Sequence, residues 1–441
     1  MSLVNVIGAG LAGCEAAYYI ATAGIKVRLW EMRPARMTPA HRSGQLGELV
    51  CSNSLKSELP NTAQGLLKQE MRTLGSLVLQ CADRARVPAG AALAVDREIF
   101  AGLITEMIET HPNIELVREE VSHVPCGEPA IVATGPLTSE ALSSQLMALT
   151  GEDNLYFFDA IAPSVTLESI DQSRIFKASR YGKGTDDYYN CPMSQAEYEQ
   201  FHEQLIAADI HEGHSIDRRM FFDGCMPIEV MGRRGYDTLR YGPLRPVGLV
   251  DPRSGKRAWA VVQLRQENQA GTILGLVGFQ TRLKWGQQDR IFRLIPGLEK
   301  ADFIRYGMMH RNTFINSPRL LKPTLQYRDN PQLFFAGQIT GVEGYMESAG
   351  TGILAGINAV RLLGGKPLLV MDNLTMLGAL VGMITDPHNE EFQPINANFG
   401  ILPPLYSPSK DKKQRYAEYA LRSAAAMEEI QKIISQPVEI N

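Results

Sequence analysis

The sequence predicts an α/β protein whose parallel-sheet domain is split by an inserted α+β domain. Three observations predict it. The chain opens on VNVIGAGLAGCEAAYYIATAGIKVRLWE: an apolar run, a GxGxxG turn, an Ala-rich helix, and a second apolar run that closes on an acid. A second glycine-rich strand–helix pattern, LFFAGQITGVEGYMESAGTGILAGINAVRLLGG, begins at Leu333. Between them, residues 156–304 change character, with mixed short elements, much Gly and Pro, and aromatic–basic clusters. The expected layout is a discontinuous domain of residues 1–155 and 305–441 carrying residues 156–304 as an insertion.

Each element has a local reason. Leu3 to Ile7 reads as a buried strand, Cys14 to Ala23 as a helix ended by Gly24, and Ile25 to Trp30 as the next strand. Gly8 permits the tight turn, Gly10 lets backbone approach a pyrophosphate, and Gly13 lets helix and strand pack closely. The helix N-terminus turns free N–H groups toward the phosphates. Glu31 stands where a carboxylate accepts hydrogen bonds from a ribose diol. This is a Rossmann-like fingerprint. Arg33 to Leu59 has no clean period and reads as a long loop with a short helix, holding Cys51 in VCSNSL. Residues 61–79 carry apolar positions at helical spacing (Leu66, Leu67, Met71, Leu74, Leu77). Residues 94–108 follow as a helix with Asp96 as N-cap. Ile114 to Val117 and Val121 to Val124 read as short strands. AIVATGP, residues 130–136, is a strand returning beneath the dinucleotide, with Gly135 in its turn.

Leu333 to Ala336 is again a strand, Gly337 and Gln338 form its turn, and Ser348 to Leu363 is a helix whose start contains Gly350 and Gly352. A plain nicotinamide-dinucleotide domain does not need this second unit. Flavoproteins of the glutathione reductase type do, because FAD lies extended and its flavin end is held by a late strand–helix pair. FAD is therefore the expected resident cofactor, held at Gly8, Gly10, Gly13, Glu31, Gly135, Gly337, Gln338, Gly350 and Gly352. Without a second GxGxxG, NAD(P)H is expected to visit the flavin as a transient reductant. Lys410 to Ile434 closes the chain as a helix with Tyr416, Tyr419, Ala420, Met427 and Ile430 facing inward.

Composition bounds the function. The 441 residues carry a net charge of −4 and are 44% hydrophobic, which excludes a wholly basic nucleic-acid binder and allows a sizeable core. No apolar run reaches the roughly 18 residues that span a bilayer, and no N-terminal signal is expected ahead of the first strand. Six scattered cysteines without CxxC or His spacing point to a reducing, cytoplasmic setting and to no metal. Residues 218–290 hold thirteen Lys or Arg against six Asp or Glu, interleaved with Tyr236, Tyr241, Trp259 and Trp285. Charges that hold phosphates beside rings that stack on bases make a nucleic-acid footprint. A solvated face of a globular domain has the same composition.

The motifs VNVIGAGLAGCEAA, EMRPARMTPAH, VCSNSL, ARVPAGAALAVDR, DGCMPIE, GPLRPVGL, VGFQTRLKWGQQ, MHRNTFINSP and FFAGQITGVEGYMESAGTGILAG span nearly the whole chain. Together they resemble the folate- and FAD-dependent tRNA (uracil-5-)-methyltransferase family, related to the glucose-inhibited division protein A family. The resemblance implies methylation of carbon 5 of a T-loop uridine in tRNA, with methylenetetrahydrofolate as one-carbon donor and reduced flavin as electron donor. Such chemistry needs a thiolate that adds to carbon 6 and a base that removes the carbon 5 proton. The resemblance places the two family cysteines on Cys225 and Cys51, with Cys225 as the expected nucleophile and Cys51 beside the flavin. It places a family tyrosine of suspected proton transfer on Tyr345. The folate pocket is expected at His310, Trp285 and Arg282, and tRNA contacts at Arg233, Arg234, Arg240 and Lys284. A wobble-uridine modification enzyme of the sister family and a small-molecule FAD oxidoreductase remain alternatives.

Overall fold

The computed structural model describes residues 2–151, 155–182, 185–210, 226–390 and 392–436, without the side chains of residues 155–161 and 308–311. Five parallel strands form the first sheet, in the order Leu333–Phe335, Ala130–Val132, Leu3–Ile7, Lys26–Trp30, Ile114–Val117. The strand order reverses at the central strand, so its carboxyl end and that of Ala130–Val132 open a crevice at Gly8 and Ala133. On this sheet lie the helices Leu11–Thr22 and Tyr345–Leu363, which pack against each other along their lengths. Glycine makes that approach possible: a Cβ on Gly352 would meet the Ala12 carbonyl oxygen at 2.2 Å, and one on Gly356 the Ala16 Cα at 3.1 Å.

The second sheet has six strands in the order Phe176–Lys177, Tyr189–Met193, Ala260–Gln266, Ile273–Leu276, Ser164–Thr166, Phe303–Arg305, and its neighbours pair antiparallel. Helices Gln195–Ile206 and Trp285–Phe292 bury Tyr198, Phe201, Leu205, Ile291 and Phe292 against it in a core of its own. The two halves meet through polar contacts. Asn53 donates its Nδ2 to the carbonyl of Gln266 at 2.9 Å, and Asp96 accepts the Gln269 N–H at 2.9 Å.

Several expectations are corrected. The run 61–79 is two helices, Ala63–Thr73 and Leu77–Arg84, because Gly75 turns the chain at φ +80° and Ser76 caps the second. Arg33 to Leu59 holds no helix; its ordered piece is the strand Ser54–Ser57, drawn out by pairing with Ala92–Val95. Val121 to Val124 is not a strand, and Val121 and Val124 pack instead beside the core around Leu142 and Leu146. The late helix begins at Tyr345 rather than Ser348, its N-cap Gly344 standing at φ +125°. The helix Met376–Thr385, unmarked by sequence period because it is apolar nearly all round, is buried among its neighbours.

Two buried carboxylates do the same structural job. Glu15 accepts the Ser76 hydroxyl and the N–H groups of Leu77 (2.9 Å) and Val78 (3.0 Å), which closes the start of helix Leu77–Arg84. Glu70 accepts the Ser423 hydroxyl (2.6 Å) and the N–H groups of Met376 (2.6 Å) and Leu377 (2.9 Å), closing Met376–Thr385. Burial pushes each of these carboxyls up to about 7 despite its hydrogen bonds.

Candidate active site

The crevice at the switch point is a long cleft. It runs from Trp30, Glu31 and Arg33 past Gly8, Gly10 and Gly135 to Gly337, Gln338, Tyr345 and Ser348. Its glycines divide by role. A Cβ on Gly13 would stand 1.8 Å from the Gly8 carbonyl oxygen, so Gly13 is fixed by packing. A Cβ on Gly10 would meet nothing within 4 Å and would project into the cleft, so Gly10 is kept open for something else. Helix Leu11–Thr22 starts at Gly10 and helix Tyr345–Leu363 at Gly344, and neither start is capped by a side chain. Both present backbone N–H groups where an anion or a carbonyl would complete them.

Glu31 lies at the expected strand end, 6% exposed, and is already engaged. Its oxygens accept the Ala9 N–H (3.0 Å), the Arg33 N–H (3.0 Å) and the Arg33 guanidinium (2.9 and 3.3 Å). Burial raises this carboxyl, but the Arg33 guanidinium and the two N–H groups outweigh it and hold the group below its ordinary value. Gly350 and Gly352 do not line the cleft; Gly350 faces Leu377 and Gly352 faces Ala12. From the same helix, Tyr345 and Ser348 do.

Cys51 stands half-buried beside this end of the cleft, in a loop held from three sides. The Tyr345 phenol oxygen accepts the N–H of Cys51 at 2.9 Å and of Ser52 at 3.2 Å. Arg265, from the inserted sheet, donates to Ser52 Oγ at 2.8 Å and to Asn53 Oδ1 at 3.0 Å. Arg97 donates to the Cys51 carbonyl at 3.5 Å and to Glu267 at 3.0 Å, and Arg305 lies 3.5 Å from the same carboxylate. Three guanidinium groups thus gather around one carboxylate and the loop of a thiol. Burial pushes the Arg265 guanidinium down and the Tyr345 phenol well up, the nearby Cys51 adding to the latter. A second concavity opens there, lined by Arg97, Glu267, Arg305 and Tyr306, and it shares Glu48 and Val50 with the cleft.

Sequence reasoning missed this cluster. Arg265 falls there within the basic stretch 218–290 and Arg97 ends the motif ARVPAGAALAVDR, neither singled out, while Arg305 lies in an unremarked position. The available signal was Arg97 directly after the N-cap Asp96 and Arg265 interrupting the apolar strand Ala260–Gln266. Of the other expected residues, Cys225 lies outside the described residues, as does the side chain of His310. Trp285 is 55% exposed and stacks on Tyr306, with centroids 6.1 Å apart, and Tyr306 stacks on Phe303 at 5.6 Å. Arg282 pairs with buried Glu229 at 3.3 Å, and exposed Lys284 stands at the N-cap position of the Trp285–Phe292 helix without a side-chain cap. Arg233 and Arg234 are exposed, whereas Arg240 lies over the Trp259 ring at 3.9 Å and pairs with Asp237. Cys14, Cys81 and Cys191 are buried, and burial raises all three thiols. Among the described residues, no cluster of His, Cys, Asp and Glu could hold a metal ion, and no helix is long and apolar enough to cross a membrane.

The sequence profile of the glucose inhibited division protein A family matches residues 3–367. A methylenetetrahydrofolate--tRNA-(uracil-5-)-methyltransferase of Syntrophomonas wolfei is 65% identical over 429 residues, covering 97% of this chain and 98% of that protein. The chain belongs to the methylenetetrahydrofolate--tRNA-(uracil-5-)-methyltransferase family, within the glucose inhibited division protein A family. A family member from Halalkalibacterium halodurans is 54% identical over 98% of this chain and 99% of its own length. The fold is shared with the solved GidA structure of Aquifex aeolicus, at a TM-score of 0.69 and 20% identity, over 97% of this chain and 73% of that one.

Proposed function

We propose that this protein methylates carbon 5 of a T-loop uridine in tRNA, taking the one-carbon unit from methylenetetrahydrofolate and two electrons from FAD that NAD(P)H reduces. The observation that carries this reading is the end-to-end likeness, 54–65% identical, to proteins named for that reaction. The cleft supports the cofactor: the open side of Gly10, two uncapped helix starts and Glu31 fit a dinucleotide, with its flavin end toward Ser348 and Tyr345. FAD would supply the reduction of a methylene to a methyl group. The chain's own residues do the rest. Cys225 is the thiol for addition to carbon 6, and Cys51 stands on the flavin side. Arg97 and Arg265 hold the Cys51 loop in place and bring positive charge to it, which favours a thiolate. Trp285 and Tyr306 offer rings, and the second concavity offers room, for the flat folate beside the cleft. Exposed Arg233, Arg234 and Lys284 supply phosphate contacts.

The deciding experiment incubates the purified protein with tRNA, NAD(P)H and labelled methylenetetrahydrofolate, beside labelled S-adenosylmethionine. Label at uridine carbon 5 from the folate alone is expected. Label from S-adenosylmethionine, or none from either, would sink the reading. Modification of a wobble uridine instead would move the protein to the sister activity.

A further inference from the structure

We propose that Tyr345 serves this reaction as a hydrogen-bond donor to the carbonyl oxygen at carbon 4 of the target uracil, and not as the base that takes the proton from carbon 5. The inference rests on the function proposed above. A phenol has one O–H to give and two lone-pair directions to fill. Both are filled here by protein: the Cys51 N–H at 2.9 Å and the Ser52 N–H at 3.2 Å converge on the Tyr345 oxygen. Among the described residues, the one hydrogen-bonding capacity left is the O–H itself, on a residue that lines the cleft beside Ser348. Burial, with Cys51 nearby, holds the phenol above its ordinary value, so it stays protonated at neutral pH. A protonated phenol with no lone pair to offer cannot accept a proton, but it can stabilise an oxyanion.

The reaction makes one. When the thiolate adds to carbon 6, the sulfur–carbon bond forms and the carbon 5–carbon 6 π bond opens. Its electron pair spreads over carbon 5 and the oxygen on carbon 4, as an enolate. No electron enters or leaves, and the charge moves from sulfur to that oxygen. A donor already oriented by two backbone N–H groups stabilises that charge without reorganising. The same two N–H groups belong to the Cys51 loop, so loop and donor are set by one contact.

The two roles block different steps. In tRNA carrying 5-fluorouridine, addition to carbon 6 and one-carbon transfer proceed, but fluorine cannot leave as a proton, and a protein–RNA conjugate accumulates under turnover conditions. Loss of a donor slows conjugate formation; loss of the base does not. Tyr345→Phe, checked for native flavin content, is expected to form the conjugate about 10²–10³-fold more slowly than wild type, the usual cost of one oxyanion donor. Because that variant also deprives Cys51 and Ser52 of an acceptor, the second variant carries 3,5-difluorotyrosine at position 345, which keeps the oxygen and lowers its pKa. A donor must be protonated, so the alkaline limb of the pH–rate profile for conjugate formation is expected to move to lower pH. If conjugate formation keeps its profile while the acid limb for methylation of ordinary tRNA moves down, Tyr345 is the base and the proposal fails. If neither limb moves, or if Tyr345→Phe forms conjugate at the wild-type rate, Tyr345 gives no proton to the reaction and the proposal also fails. A wild type that methylates ordinary tRNA while these outcomes occur leaves the proposed function standing. A wild type that never methylates tRNA overturns both.

Discussion

The two concavities that meet at Glu48 and Val50 handle charge by different means. The cleft uses backbone: uncapped helix starts at Gly10 and Gly344, and glycines that leave space where side chains would stand. The second concavity uses side chains: Arg97 and Arg305 on its wall, with Arg265 behind them, converge on Glu267 and the Cys51 loop from segments far apart in sequence. Backbone donors are fixed by the secondary structure that carries them and tolerate no bulk. Side-chain donors are held by one another and fail together. The lesson is that the first site is written in a local motif and the second exists only after the chain has folded.

This difference can be broken at its strongest point first. Gly13→Val forces a side chain into the Gly8 carbonyl, 1.8 Å from the new Cβ, and is expected to cost more than about 4 kcal/mol and give no folded protein, read by thermal melting. Gly10→Val, three residues away, places its Cβ where no protein atom lies within 4 Å. It should fold with a native circular dichroism spectrum yet purify without flavin. A yellow Gly10→Val protein would mean the cleft does not bind through that backbone.

The carboxylates sharpen the comparison. Glu70 caps a helix with no cation beside it, and its folded pKa of about 7 lies above the unfolded value near 4.5. Its contribution is therefore fully present below the unfolded pKa and is lost as pH rises through about 7. Stability measured by denaturant between about pH 5 and 8 should fall by an amount on the order of 3 kcal/mol from this group, and Glu70→Gln should flatten that fall. An unchanged slope would show that Glu70 is ionised throughout. Glu267, by contrast, stands between guanidinium groups at 10% exposure, and Glu267→Gln leaves two of them without a counter-charge. A loss of about 2 kcal/mol, with flavin content retained, is expected. Loss of flavin would mean the two concavities are one site.

The smallest effect belongs to the outer surface. Charge reversal at exposed Arg233 and Arg234 should weaken tRNA binding and reduce the slope of log affinity against log salt by roughly 0.7 to 0.9 for each phosphate that is no longer neutralised. An unchanged slope would make these two residues a solvated face.

What the sequence by itself determined is the opening strand–turn–helix–strand unit, its glycine turns, Asp96 as a cap and the late strand–helix unit, because each is written in a short continuous stretch of chain. Gly8 needs φ +96° and Gly13 needs close backbone, and both needs are met inside one turn. The division of the glycines was not legible. Gly10 and Gly352 sit in similar glycine-rich stretches, yet one faces open space and the other lies against Ala12, and only the neighbouring helix decides which. Likewise the basic count of residues 218–290 could not separate exposed Arg233 from Arg265, half-buried and bonded to Ser52 and Asn53, or Arg240, laid on Trp259. Charge is a property of the residue, but whether it faces water or a loop more than two hundred positions away is set by how the two cores dock. The Tyr345 phenol makes the same point: its place at a helix start is local, while its pairing with the Cys51 and Ser52 N–H groups, 294 and 293 residues distant, is a product of the tertiary structure alone.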